Sequence, residues 1–308
     1  VITALTLLIS GLIALALGAD RFVLAAARLA RAWGVSPILV GALVVGLGTS
    51  APELLVSILA AGRGEIDIAL GNVVGSNTAN VTLVLGATAL VGAVGSRLRT
   101  LQREGVLMLV GVSVLTVFCW DLALQRWEAL VLAGSMIVAA VLIVWWARSE
   151  RIEVPVEAER WRGSIPREAV LGIATLAVTL VGSDLVVRGA SRLAVELSIS
   201  SAFVGLVIVS VGTSLPELAA ALAAGRRGET DLVIGNVLGS NLFNSLAVAG
   251  TAGLVGAGAV SNTFRSALVF MVVSAVLAGF FAFTGRRVAR WEGAVLLIFF
   301  LGFVAIAV

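Results

Sequence analysis

The sequence predicts an all-α integral membrane protein of ten transmembrane helices, arranged as two inverted-topology repeats of five helices each. Three observations predict it. The 308 residues are 60% hydrophobic and 13% charged, with a mean hydropathy of +1.11, whereas soluble domains carry about 25% charged residues. Ten apolar stretches reach or approach the roughly 20 residues that a helix needs to cross about 30 Å of hydrocarbon. The segment Gly48-Thr49-Ser50-Ala51-Pro52-Glu53 returns as Gly212-Thr213-Ser214-Leu215-Pro216-Glu217, 164 residues later. The same offset pairs Gly71-Asn72-Val73-Val74-Gly75-Ser76-Asn77 with Gly235-Asn236-Val237-Leu238-Gly239-Ser240-Asn241, Asn80 with Asn244 and Asp20 with Asp184. Nearly half of the positions from Gly18 to Ala93 recur without a gap, the signature of a duplicated unit that keeps polar and charged residues within a membrane.

The expected spans are 2–30, 35–61, 68–92, 104–120, 127–147, 166–194, 199–225, 232–256, 265–284 and 291–308. Residues 1–19 have the composition of a signal peptide, with Ala16-Leu17-Gly18 as a passable cleavage site. Their neighbourhood from Gly18 to Ala30 recurs internally from Gly182 to Ala194, where no signal peptide can be, so the first stretch is read as a span. The chain divides into a first half, 1–147, a polar linker, 148–164, and a second half, 165–308. The linker mixes Arg with Glu150, Glu153, Glu157 and Glu159 and reads as a solvated tether. Five is odd, so two homologous halves must insert with opposite orientation.

All basic residues are Arg. With the N-terminus outside, only Arg63, Arg126, Arg188, Arg192 and Arg265 face outward, leaving 16 of the 21 on the inward side. The positive-inside rule therefore predicts a multi-pass cell-membrane protein with both termini extracytoplasmic. The same bias accounts for the pI near 10.7, so nucleic acid is not an expected partner. The lipid bilayer is, and no protein partner is inferable. With no His and one Cys, His-based acid–base chemistry, disulfides and thiolate sites are excluded. Cys119 reads as a packed apolar residue.

Each motif copy lies at the middle of its span. A carboxylate at that depth costs about 2.5–3.5 kcal/mol on insertion scales, and no Arg lies at midplane depth in the four spans to neutralise Glu53 or Glu217. Pro52 and Pro216 have no N–H, so the carbonyls of Gly48 and Gly212 are expected to lose their helical donors. Thr49 and Ser50 precede Glu53 by four and three residues and are expected on its helical face, as are Thr213 and Ser214 with Glu217. Ser76, Asn77 and Asn80 form a polar face on the third span, and Ser240, Asn241 and Asn244 its twin. Carboxylate, amide, hydroxyl and carbonyl oxygens without N or S donors select hard cations such as Ca2+, Na+ or Mg2+. Small residues such as Gly75 and Gly239 also serve plain helix packing. Asp20 and Asp184, beside Arg21 and Arg188 near helix ends, are read as interfacial.

The paired GTSxPE and GNxxGSNxxN segments resemble the α-repeats of the cation/Ca2+ exchanger superfamily, close to prokaryotic Na+/Ca2+ exchangers. The resemblance covers both halves. It implies an antiporter and not an enzyme, with Ca2+ and Na+ as transported ions and no cofactor. It implies that Glu53 and Glu217 bind Ca2+ with the carbonyls of Thr49 and Thr213, and that the Gly46 and Ser210 carbonyls, with Ser50, Ser214, Ser76 and Ser240, help bind Na+. Asn80 and Asn244 complete the centre. Asn244 stands where some relatives carry Asp, which argues against K+ co-transport. Ser210 replaces the small apolar residue often seen there. The large Ca2+-sensing insertion of animal exchangers is absent from the sequence, so that form of regulation is not expected. H+/Ca2+ exchange on the same scaffold is the alternative; a cation channel would need a polar path along a whole helix, and an intramembrane protease would need a motif that is not present.

Overall fold

The computed structural model describes residues 2–149, 164–196, 210–261 and 264–307. In hydrocarbon every backbone N–H and C=O needs a partner within the protein, and this chain meets that demand with helices. They are α1 (Ile2–Trp33), α2 (Ile38–Thr49), α3 (Ala51–Gly62), α4 (Ile66–Val91), α5 (Leu98–Phe118), α6 (Arg126–Ser149), α7 (Ile165–Glu196), α8 (Ser210–Thr213), α9 (Leu215–Arg226), α10 (Thr230–Val255), α11 (Phe264–Gly285) and α12 (Arg290–Ala307). Among the described residues, seven helices are long and apolar enough to cross a membrane, or eight when α2 and α3 count as one span bent by 44°. Residues 150–163 of the expected linker and 199–209 of the expected 199–225 span lie outside the described residues.

The span windows of α4 and α10 are 83% and 89% buried, against 22–39% for the other single-helix spans, so these two form the centre of the bundle. Glycine sets how closely the others approach. The π-helical turn Gly41–Gly46 of α2 lies on α10, where a Cβ at Gly235 would stand 2.6 Å from the Ile38 carbonyl oxygen. The long helices α1 and α7 run antiparallel along each other, with Gly11 against Gly182 and Gly18 against Thr179. A Cβ at Gly182 would lie 2.6 Å from the Leu15 nitrogen, so this seam depends on the small residue.

Four two-residue strands, absent from the sequence expectation, tie the bundle outside its spans. β1 (Val94–Gly95) pairs antiparallel with β4 (Arg287–Val288), and β2 (Ala123–Leu124) with β3 (Gly258–Ala259). β1 and β3 are 164 residues apart, as are β2 and β4, so the two ladders exchange partners across the repeat. Polar ties join helix ends of like face. Asp20 pairs with Arg227 at 2.6 Å, Glu168 with Arg21 at 2.6 Å, and Asp231 with Arg97 at 2.9 Å. Asp67 accepts from the Ser261 N–H at 2.7 Å, and the Trp120 carbonyl accepts from Arg265 at 3.2 Å. Each tie connects two ends that the arginine distribution places on one side. Asp20 and Asp184 are both solvent-accessible and ion-paired, Asp20 with Arg227 rather than with its neighbour Arg21, and Asp184 with Arg188 at 2.7 Å. Cys119 is fully buried, as its packed reading requires.

Candidate ion site

Two helix breaks build the site. Ser50 (φ −83°, ψ 10°) and Ser214 (φ −87°, ψ 5°) leave the helical region, and α3 and α9 restart with Pro52 and Pro216 in their first turns, where a missing N–H is tolerated. Glu53 and Glu217 follow in those first turns. Facing them, α4 and α10 each switch to a π-helical turn starting at the paired asparagines, Asn80–Val84 and Asn244–Val248. Such turns recur at functional sites because they re-aim side chains out of the regular register.

Glu53 and Glu217 are 0% and 1% exposed. Each carboxylate takes a hydroxyl from the opposite half: Ser50 Oγ donates to Glu217 Oε1 at 2.7 Å, and Ser214 Oγ donates to Glu53 Oε1 at 3.3 Å. Ser50 and Ser214 were expected on the helical face of the glutamate that follows each, yet each hydroxyl bonds the carboxylate of the other half. Spacing of three and four assumes one continuous helix, and the break at Ser50 and Ser214 turns the hydroxyls across the centre. Thr49 Oγ1 likewise turns to the Val45 carbonyl at 2.9 Å.

The other expected residues divide into two groups. Among the described residues, Glu53 Oε2, Glu217 Oε2, Ser76 Oγ and both amide atoms of Asn80 and of Asn244 are buried without a hydrogen-bond partner. Such atoms cost about 1–3 kcal/mol each when nothing meets them. A hard cation satisfies the carboxylate, carbonyl and hydroxyl oxygens of this set. Ser240 is engaged instead, donating to the Gly46 carbonyl at 3.2 Å, so two expected Na+ ligands hold each other. Ser210 opens α8, but its side chain lies outside the described residues. Among the described residues no group of three or more His, Cys, Asp or Glu stands together as a metal cluster.

The carbonyls released by proline also differ from expectation. Ser183 Oγ on α7 donates to the Gly212 carbonyl at 2.6 Å, so that oxygen has a hydroxyl donor in place of the lost N–H. Ala19, 164 residues earlier, has no hydroxyl to offer Gly48.

Several residues were not singled out by sequence. Asn72 Nδ2 donates to the Glu53 carbonyl at 3.2 Å and to Ser57 Oγ at 3.1 Å, and Thr213 Oγ1 donates to Asn72 Oδ1 at 3.2 Å. Asn236 Nδ2 donates to the Glu217 carbonyl at 3.3 Å. Asn77, read on the face of Ser76 and Asn80, points away to Ser245 Oγ at 2.8 Å and Met271 Sδ at 3.5 Å. The signal for Asn72 and Asn236 was present: both belong to the repeated GNxxGSN segment, in apolar surroundings where an amide needs partners.

The chain matches the family described as sodium/calcium exchanger protein over residues 3–145 and 168–308. CaxA of Alkalimonas amylolytica, an antiporter by name, is 37% identical over 95% of both chains. The sodium/calcium exchanger MaX1 of Methanosarcina acetivorans is 29% identical over 97% of both. The solved structure of the sodium-calcium exchanger NCX_Mj soaked with Na+ and Sr2+ superposes with a TM-score of 0.87 at 31% identity, covering 99% of this chain and 98% of that one.

Proposed function

Because this chain belongs to the sodium/calcium exchanger protein family, we propose that it exchanges Na+ for Ca2+ by alternating access at the Glu53–Glu217 centre. The observation that carries the reading is the carboxylate pair: two buried glutamates, each bonded across the repeat and each keeping one oxygen without a partner among the described residues. Glu53, Glu217 and the carbonyls of Thr49 and Thr213 bind Ca2+. The Gly46 and Ser210 carbonyls with Ser50, Ser214, Ser76 and Ser240 serve Na+, and Asn80 and Asn244 close the centre.

Two carboxylates give the ion-free site a charge of about −2, and moving that charge past an apolar barrier is unfavourable. One Ca2+ cancels it, and about three Na+ leave a net charge of about +1, so only loaded forms cross readily and exchange is obligatory. The antiparallel pair α1–α7, held mainly to itself along its glycine seam, is the element that slides between access states. Ten helices in two inverted halves, 1–147 and 165–308 around the linker 148–164, accommodate these steps. The partner exchange of the two strand ladders and the twin breaks at Ser50 and Ser214 support that inversion. The arginine excess orients the protein with both ends of the chain outside.

Radiocalcium uptake into proteoliposomes under an outward Na+ gradient tests the proposal. Uptake that requires internal Na+ is expected. Uptake driven by a proton gradient and indifferent to Na+ would replace it with H+/Ca2+ exchange.

A further inference from the structure

We propose that Asn72 is a positioning residue of the ion site: it holds the backbone that carries Glu53 against Thr213 of the opposite half, with Asn236 as its looser twin. The proposal rests on reading Glu53 and Glu217 as the ion-binding pair.

Asn72 sits on α4, 4% exposed. Both of its amide hydrogens are committed, one to the Glu53 carbonyl at 3.2 Å and one to Ser57 Oγ at 3.1 Å. Ser57 is itself fixed, since its hydroxyl donates to the Ala69 carbonyl at 3.1 Å. The Asn72 oxygen then accepts from Thr213 Oγ1 at 3.2 Å. One planar amide therefore joins the residue bearing one carboxylate to the residue at the helix break of the other half. Neither Asp, which only accepts when ionised, nor Ser, with a single proton, can make all three contacts. Oxygen ligands of Ca2+ lie within a narrow 2.3–2.6 Å range, and binding constellations tolerate displacements of only about 0.5 Å. A brace that sets the distance from Glu53 to Thr213 therefore acts on affinity without touching the ion.

The twin is weaker for visible reasons. Asn236 reaches the Glu217 carbonyl at 3.3 Å, but Ala221 stands where Ser57 would recur. The Thr49 hydroxyl stands 3.4 Å from Asn236 Oδ1, against 3.2 Å from Thr213 to Asn72 Oδ1.

The test is calorimetric titration of Ca2+ into the purified full-length protein in Na+-free detergent solution, which reads binding separately from transport. N72A is expected to weaken Ca2+ binding about tenfold or more with the number of sites kept, and N236A to weaken it less. Thr213→Val keeps the carbonyl and loses only the hydroxyl; it is expected to weaken binding, and Thr213→Ser to restore it. Combining N72A with Thr213→Val should add little to N72A, whereas combining N72A with Thr49→Val should multiply the two losses. Native affinity in N72A, or multiplication in the 72/213 pair, overturns the proposal. If N72A does not fold, Val and Ser at position 213 decide alone: equal affinities overturn it. Native Ca2+ binding in Glu53→Gln is a separate outcome, and it defeats the ion-site reading on which the brace depends.

Discussion

Glu53 and Glu217 each bring to the centre of the bundle one bonded carboxylate oxygen and one without a partner among the described residues. Gln has nearly the same shape but no charge. Glu53→Gln and Glu217→Gln are each expected to abolish Ca2+ flux in proteoliposomes; native flux in either would remove that residue from the site. The serines grade more finely. Ser50 reaches its carboxylate at 2.7 Å and Ser214 at 3.3 Å, and a hydrogen bond to a charged group is worth about 1.5–3 kcal/mol. Ser50→Ala should therefore weaken Ca2+ binding by about tenfold, and Ser214→Ala by less, when titrated under the same conditions. At this scale the sequence showed which residues carry charge and polarity but not whom they face. Ser50 was legible as a site residue from its place before Pro52 and Glu53. Its partner, Glu217, was not, because helical spacing predicts neighbours only along an unbroken helix.

At the scale of elements, breaks and seams decide the behaviour. Pro216 withdraws an N–H from the Gly212 carbonyl, and the Ser183 hydroxyl of α7 replaces it at 2.6 Å. Ser183→Ala leaves a buried acceptor unmet, at a cost of about 1–3 kcal/mol, and a lower melting temperature in detergent is the expected result. Ala19 marks the same place in the first half, so the two breaks are supported unequally by the long helices. The α1–α7 seam is stricter. A Cβ at Gly182 would stand 2.6 Å from backbone, which cannot rotate away as a side-chain tip can. Gly182→Val should force the two helices apart and suppress exchange while leaving the protein in the membrane, read as flux per reconstituted molecule. The spans themselves were legible, since α1, α4, α6, α7, α10 and α11 begin and end within a few residues of their expected limits. The π-helical turns at Asn80 and Asn244 were not, because a one-residue change of register leaves no mark on a hydropathy pattern.

The whole molecule adds topology and charge movement. Arg63 and Arg227 occupy the same place in the two copies, 164 residues apart. If the halves are inverted, cysteines introduced at these two positions, in a chain where Cys119 is replaced by Ala, should react with a membrane-impermeant thiol reagent from opposite sides. Labelling of both from one side would exclude the inversion. The proposed exchange of about three Na+ for one Ca2+ would move one net charge, worth about 2.3 kcal/mol per 100 mV. Na+-driven Ca2+ uptake into vesicles should then accelerate when the interior is made positive, because each turnover carries positive charge out; a rate independent of voltage would mean electroneutral exchange.

Membrane residence, the duplicated unit and the residue types of the candidate ion site were determined by the sequence alone. The reason is that transfer into hydrocarbon is a local cost, paid residue by residue and readable in any window of the chain. Two glutamates read at the middle of apolar spans with no Arg at that depth already pointed to a ligand. Only the tertiary structure decided the pairing: Ser50 with Glu217, Thr213 with Asn72, Ser183 with Gly212, β1 with β4. Each of these contacts joins segments far apart in the chain, and their meeting depends on how broken helices cross. That crossing is set by glycine seams and by the burial of α4 and α10 between the two halves, which no single window of sequence contains.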